Sequence, residues 1–384
     1  VTETHADTAV VAITKHGVAL ARDLAAKLPG ADLIVSEKFK DAAGEGARCY
    51  AGPLKAQVGA WFARYDRLVF HVSLGAVVRL IAPHLKSKDE DPAVLVVDDA
   101  GRFVISVLSG HLGGANAFTA EVAGLIGATP VVTTASDVGG TIPVDILGRE
   151  LGWQLEPATR GNVTRVSAAV VNEEPVAFVQ ETGEPNWWTR KGPLPPSITV
   201  YEAIDRVPLA DVSAILWVTD RVPHEALWER IADRVVIYRP KSLVLGLGCD
   251  RGTSRETLAE AIDAALADRA LSLMSVRNVA TIEAKRDEPG LLALAAEMGW
   301  EVVTYPAERL AEVPDIPNPS EVVMKYMGTP AVGEPAAMLS AGVDADGLVV
   351  EKSKYLGADG LNATVSVARV AFPQETAADT ETGA

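Results

Sequence analysis

Ser109-Gly110-His111-Leu112-Gly113-Gly114-Ala115-Asn116 places a hydroxyl, an imidazole, a carboxamide and three glycines within eight residues. An imidazole titrates near neutrality and can take a proton from water. Main-chain N–H groups and a carboxamide can hold the oxyanion that forms when water adds to a carbonyl. His111 is therefore the candidate general base, and the Gly113 and Gly114 amides with Asn116 are the candidate oxyanion site. Asn116 has the alternative role of orienting His111. Ser109 is a candidate nucleophile or hydrogen-bond donor. The serine-hydrolase elbow GxSxG is not met, which disfavours a covalent serine mechanism.

The surrounding pattern says how such a turn is held. Phe103–Leu108 reads as a strand and Asn116–Ile126 as a helix, so the turn joins strand to helix. Upstream, Ala9–Thr14, Asp32–Ser36 and Arg67–Ser73 read as buried strands. His16–Lys27, Leu54–Arg64 and Gly75–Ile81 have helical spacing. Ala93–Asp98 and Phe103–Leu108 flank Asp99-Ala100-Gly101, a hairpin signal. The order implies an α/β domain over 8–138, with a mainly parallel sheet and one hairpin excursion. Residues 139–240 read as a small middle α/β domain rich in tryptophan. There Trp187-Trp188 is either a core anchor or an exposed platform. Residues 241–372 read as a C-terminal α/β domain, and 373–384 as a disordered acidic tail.

Three more turns of the first domain carry suitable chemistry. Thr133-Thr134-Ala135-Ser136-Asp137 follows a strand, and Thr133, Thr134 and Asp137 are candidate site residues. Thr14-Lys15-His16-Gly17 and Ser73-Leu74-Gly75-Ala76 open helices whose N-terminal amides suit carboxylates. Lys15, Ser73, Gly75 and Arg79 are candidate binding residues there. Capping alone also explains the Thr, Ser and Gly positions. All four turns are expected at one edge of the sheet, in one crevice. In the last domain, Gly246-x-Gly248-x-x-x-Gly252 is one residue too long for the dinucleotide fingerprint. It offers an anion cradle with Gly248 and Arg251. Glu283-x-Lys285-x-Asp287-Glu288 is a charge cluster whose plainer reading is a solvated helix start. Lys352 and Lys354 alternate along a strand and project to one face.

The formal charge of −16 over 384 residues argues against nucleic acid and anionic membrane as partners. A small anionic substrate then needs a local basic pocket. Two distant cysteines, Cys49 and Cys249, fit free thiols in a reducing cytoplasm better than a disulfide. No run reaches the ~18 apolar residues of a membrane span, and no zinc spacing is present.

Several motifs occur together and in order. They are Leu74-Gly75-Ala76-Val77-Val78-Arg79-Leu80-Ile81-Ala82-Pro83, then Lys88, Asp91-Pro92-Ala93-Val94, Leu108 to Asn116, and Thr133 to Asp137. The last domain adds Gly246 to Gly252, Ile282-Glu283-x-Lys285-x-Asp287-Glu288, Pro319-Ser320, Val332-Gly333-Glu334-Pro335-Ala336-Ala337 and Lys352-x-Lys354. Over about residues 9 to 372 the chain resembles the CbiG family of cobalamin biosynthesis, the cobalt-precorrin-5A hydrolases. The resemblance implies opening of the ring A δ-lactone of a ring-contracted cobalt corrinoid by water, with the two-carbon fragment leaving as acetaldehyde. Cobalt would belong to the substrate, with no protein cofactor. Lys88, Glu283, Lys285, Glu334 and Lys352 join the candidate binding set. On this reading Asp137 or Asp98 orients His111, and Lys15 or Lys88 donates the proton that assists fragment loss. A homodimer and neighbouring pathway methyltransferases are the partner expectations. The rival readings are a non-catalytic corrinoid carrier and a generic lactone hydrolase.

Overall fold

In the first half of the chain, apolar residues alternate between two faces of each strand, so helices must cover both. The computed structural model describes residues 6–87, 90–190 and 192–372; the side chains of residues 137 and 138 lie outside that description. So do Lys88 and the tail expected at 373–384. The chain forms two compact units, one ending at Ile146 and the other starting at Leu147.

The first unit is built on β1 (Thr8–Ala12), β2 (Asp32–Ser36), β3 (Arg48–Tyr50), β4 (Arg67–His71), β5 (Ala93–Val97), β6 (Phe103–Leu108) and β7 (Thr129–Val131), ordered β3-β2-β1-β4-β5-β6-β7. Its helices are α1 (Lys15–Ala25), α2 (Lys40–Ala43), α3 (Lys55–Arg64), α4 (Leu74–Ile81), α5 (Ala115–Ile126) and α6 (Ala135–Val138). From β1 the chain moves one way to β2, and from β4 the other way to β5. Right-handed crossovers therefore place α1 and α4 on opposite faces. The cores agree: Val10, Val18, Leu24, Val69 and Leu95 pack on one side, and Val11, Phe70, Val77, Ile81 and Val96 on the other. β5 pairs with β6 antiparallel, and β7 runs parallel to β6.

The second unit holds two five-stranded sheets. The middle one comprises β8 (Gln154–Leu155), β9 (Val176–Gln180), β10 (Ile198–Tyr201), β11 (Ala214–Val218) and β12 (Val235–Arg239), ordered β10-β9-β11-β12-β8, with α7 (Val163–Val171) and α8 (Glu225–Ile231). Trp187 stacks on buried Phe178 with ring centroids 4.0 Å apart, and Trp188 Nε1 donates to the Gly192 carbonyl. The pair is anchored on one side, with one ring face of Trp187 covered by Phe178 and both rings partly buried. The last sheet, ordered β15-β14-β13-β17-β16, comprises β13 (Leu243–Cys249), β14 (Val276–Ile282), β15 (Glu301–Tyr305), β16 (Leu348–Leu356) and β17 (Asn362–Arg369). It carries α9 (Arg255–Ala267), α10 (Pro289–Met298), α11 (Ala307–Ala311), α12 (Glu321–Met327) and α13 (Gly333–Ala341). The architecture is α/β throughout: a largely parallel sheet with a hairpin excursion, then two smaller α/β layers.

Candidate active site

The turn after β6 is shaped by backbone demands. Ser109 adopts φ +57°, and the carbonyls of Ser109 and Gly110 accept from the amides of Ala115 and Asn116. A Cβ on Gly113 would lie 2.5 Å from Ser109 Cβ, and Gly114 has φ +76° at the entry to α5. Glycine is required at both positions. The loop that results is tight and turns His111 toward the segment after β7.

Asp145 Oδ1 and Oδ2 lie 2.9 and 3.1 Å from His111 Nδ1, and Ser136 Oγ lies 3.2 Å from Nε2. The His111 side chain is 12% exposed, Asp145 is 22% exposed and Ser136 is buried. An ionised carboxylate only accepts, so Nδ1 carries the proton of the neutral ring. Nε2 is then an acceptor that the Ser136 hydroxyl donates to. This is a base with its ring held by a carboxylate and its Nε2 within hydrogen-bond distance of a hydroxyl.

The other residues of the turn have different tasks. Ser109 Oγ donates to the Asp91 carbonyl at 2.8 Å, so this hydroxyl pins the turn and the expectation of Ser109 as nucleophile is corrected. Asn116 accepts from Ser106 Oγ at 2.7 Å and donates to Thr134 Oγ1 at 2.8 Å. It ties β6 to the turn after β7. The Gly114 amide donates to the His111 carbonyl and cannot also hold an oxyanion. Among the described residues, no hydrogen bond engages the Gly113 amide. The Asp137 side chain lies outside the described residues, and Thr133 neighbours Thr134 without a described hydrogen bond.

Lys15, Ser73, Gly75 and Arg79 are not part of this site. Because β6 and β7 run opposite to β1, β4 and β5, the turns at 109–116 and 133–137 occupy the other edge of the sheet. Ser109 bonds to Asp91, before β5, whereas Thr14 donates to Asp99, after β5, at 2.5 Å. The five residues of β5 separate the two edges by about 17 Å. The expected single crevice is therefore two sites. Lys15 is too far away to serve His111. Asp98 does not orient the ring either, since it accepts from the amides of Arg102 and Phe103 in the hairpin. At the far edge Lys15, Ser73 and Arg79 are exposed, and Arg79 donates to the Gly75 carbonyl. Beneath them His71 is 1% exposed with neither ring nitrogen partnered, and burial pulls its pKa down to about 4.

The last sheet carries a cavity of about 480 Å³ lined by Gly248, Lys285, Glu334, Lys352 and Lys354, with Tyr326 among its apolar residues. The volume is within the range of small-molecule sites. Gly248 is needed because a Cβ there would lie 2.7 Å from Thr364 Oγ1. Glu334 is 1% exposed, accepts from Asn318 at 2.8 Å through Oε1 and leaves Oε2 unpartnered. Burial pushes its carboxyl pKa up. Lys285 pairs with Glu288 at 3.2 Å inside the fold. Arg251 and Glu283 do not line this cavity. Arg251 is held by Asp287 and the Ala284 carbonyl, and Glu283 is exposed at a helix start. The Arg251 guanidinium is thus paired with acid at an exposed position. A larger cavity, about 910 Å³, is lined by Arg221, Arg230, Arg269, Arg369 and Trp217. None of the residues singled out from the sequence contributes to it.

Among the described residues, no group of three or more His, Cys, Asp or Glu side chains is placed to hold a metal ion, and no helix is long and apolar enough to cross a membrane. Both cysteines are free thiols.

Family models cover most of the chain in three consecutive blocks: cobalamin synthesis G N-terminal over 56–137, the cobalamin biosynthesis central region over 142–240, and cobalamin synthesis G C-terminus over 243–368. A cobalt-precorrin-5A hydrolase of Priestia megaterium is 46% identical over 95% of this chain and 96% of its own length. The chain belongs to the CbiG family. A second cobalt-precorrin-5A hydrolase, from Salmonella typhimurium, is 33% identical over 86% of this chain and 91% of its own. The protein CobE of a Sinorhizobium species is 40% identical over 111 residues, 29% of this chain and 71% of its own. Within this CbiG-family chain, Asp145 lies three residues into the central-region match, while its partner His111 lies in the N-terminal match. The dyad therefore draws on two family blocks. Asp145 sits in irregular structure with no periodicity to mark it, so sequence reasoning missed it.

Proposed function

We propose that this chain hydrolyses cobalt-precorrin-5A, opening the ring A δ-lactone with water and releasing acetaldehyde. The Asp145–His111 pair is the observation that carries the reading. It sits beside the unengaged Gly113 amide, in a chain 46% identical to a relative bearing that name. His111 Nε2 takes the proton from the oxygen nucleophile, Asp145 holds the ring and stabilises its charged form, and the Gly113 N–H faces the developing oxyanion. Opening the lactone yields the ring A carboxylate and a hydroxyl on the two-carbon fragment. That hydroxyl loses its proton and becomes the aldehyde carbonyl. The carbon–carbon bond to the macrocycle breaks, and its electron pair stays with the macrocycle and is protonated.

Cobalt enters and leaves within the substrate, and no resident cofactor is invoked. Within the second unit, the C-terminal cavity with its Lys352 and Lys354 ammonium groups and Tyr326 has the chemistry to hold carboxylates beside an apolar ring. Free thiols agree with a reducing, cytoplasmic setting. A homodimer and transient docking of pathway methyltransferases complete the reading, and sedimentation with and without those enzymes tests both.

The deciding experiment is incubation of the full chain with cobalt-precorrin-5A, assayed for acetaldehyde. Release with turnover is expected, and His111→Ala should lower kcat by at least about 10²-fold while substrate still binds. Tight binding of the cobalt tetrapyrrole without acetaldehyde would make the chain a carrier. Normal release from His111→Ala would remove that residue as base.

A further inference from the structure

We propose that Ser136 is the first nucleophile of the reaction, so that the ring A acetate is carried through one half-cycle as an ester of Ser136. This rests on the lactone-hydrolase reading above. Three groups come together in the first unit: Asp145 on His111 Nδ1 at 2.9 Å, and Ser136 Oγ on His111 Nε2 at 3.2 Å. A carboxylate, an imidazole and a hydroxyl in that order are recognised by geometry and roles, not by chain order. Here the order along the chain is His111, Ser136, Asp145. The absence of GxSxG speaks only to one fold's way of presenting the serine.

The other hydroxyls near the turn have partners away from the ring. Ser109 Oγ is spent on the Asp91 carbonyl, and Thr134 Oγ1 accepts from Asn116. Ser136 Oγ lies within hydrogen-bond distance of the base nitrogen, Nε2 of His111. A water attacking directly would have to displace that hydroxyl from Nε2.

The steps balance. Ser136 Oγ bonds to the lactone carbonyl carbon as its proton passes to His111 Nε2. The lactone carbon–oxygen bond breaks, and the departing alkoxide takes that proton. Water then adds to the ester carbonyl and gives a proton to Nε2. The tetrahedral centre expels Ser136 Oγ, which recovers the proton, and the acetate leaves as a carboxylic acid that ionises. One water is consumed and nothing is oxidised or reduced. Acetaldehyde departs from the freed alcohol as before.

The test is rapid mixing of the full chain with cobalt-precorrin-5A, acid quench and peptide mass mapping, alongside acetaldehyde release. The peptide containing residue 136 should carry the corrinoid as an acid-stable ester during turnover. Ser136→Ala should lose the adduct and about 10³-fold in kcat, with KM changed less than threefold and the melting temperature unchanged. Ser136→Cys should keep slow release and accumulate a thioester. Ser136→Ala within threefold of wild type, or Ser136→Cys that turns over without a thioester, would overturn the assignment. A wild-type chain that releases no acetaldehyde fails the underlying reading instead.

Discussion

Asp145 holds one side of the catalytic imidazole, and its chemistry sets a sharp expectation. Asp145→Asn keeps the size but replaces an acceptor with a group that donates as well. A donated N–H at Nδ1 would move the ring proton to Nε2, where it faces Ser136 and cannot accept. The variant should lose about 10²- to 10⁴-fold in kcat with little change in KM. Restored activity in the variant at wild-type level would show that the carboxylate does not set the tautomer. His71 makes a different prediction, on stability. Its folded pKa is about 4, below the ordinary 6.5 of an unfolded chain. The unfolded state therefore binds a proton first as pH falls, and stability present above pH 6.5 is lost on the way down to about 4. The full shift corresponds to roughly 3 kcal/mol. His71→Leu should flatten the acid limb of the stability–pH curve between those values, read by urea denaturation at each pH. An unchanged acid limb would assign the loss to other groups. The contrast between the two residues also says what a sequence can disclose. His111 announces itself by sitting among glycines and polar residues, whereas Asp145 lies in an unpatterned stretch and acquires meaning only by contact.

At the scale of elements, most of the fold was legible because it follows from period. Strands β1, β2, β4, β5 and β6 and helices α1, α3, α4 and α5 fall within a few residues of their apolar patterns. β3 and β8 escaped because two or three residues cannot show a period. The error in the site came from direction. Asp99-Ala100-Gly101 marks a hairpin, and a hairpin reverses every strand end that follows it in register with β6. The turns at 109–116 and 133–137 thus had to leave the edge occupied by Thr14 and Ser73. The C-terminal cavity depends on another close approach. A Cβ on Gly246 would lie 1.9 Å from the Gly333 carbonyl oxygen, and one on Gly333 would lie 2.9 Å from that of Gly246. β13 and α13 therefore touch backbone to backbone, which sets Gly333 and Glu334 into the cavity wall. Gly246→Ala must push α13 outward and should cost about 3 kcal/mol or more. Thermal unfolding checks this, and a drop in melting temperature of less than about 2 °C would mean that the contact yields easily.

At the scale of the whole chain, the boundaries follow contacts more than composition. The first compact unit runs to Ile146, beyond the N-terminal family block that ends at 137, and the reach of Asp145 back to His111 gives the reason. The middle and C-terminal sheets, expected at 139–240 and 241–372, match separate family blocks at 142–240 and 243–368, and their contacts group them in one compact unit. Asp220 explains why. Its side chain is 2% exposed, accepts from Arg369 Nε and Nη2 at 2.7 and 2.9 Å and from Ser242 Oγ at 3.0 Å, and its carbonyl accepts from the Ser272 amide. Residues from both sheets thus meet on one buried carboxylate. Removing the guanidinium leaves that charge buried with the Ser242 hydroxyl and the nearby Arg239 charge, at a cost of about 3 kcal/mol. Arg369→Ala should then do more than lower stability. In the wild-type chain, amides of β11 and β14 should exchange with the same global free energy, because the two sheets open together. In the variant the β11 amides should exchange through a separate, cheaper opening while β14 remains protected. Equal protection of both strands in the variant would mean that other contacts couple the sheets. Unequal protection already in the wild type would mean that they were never coupled.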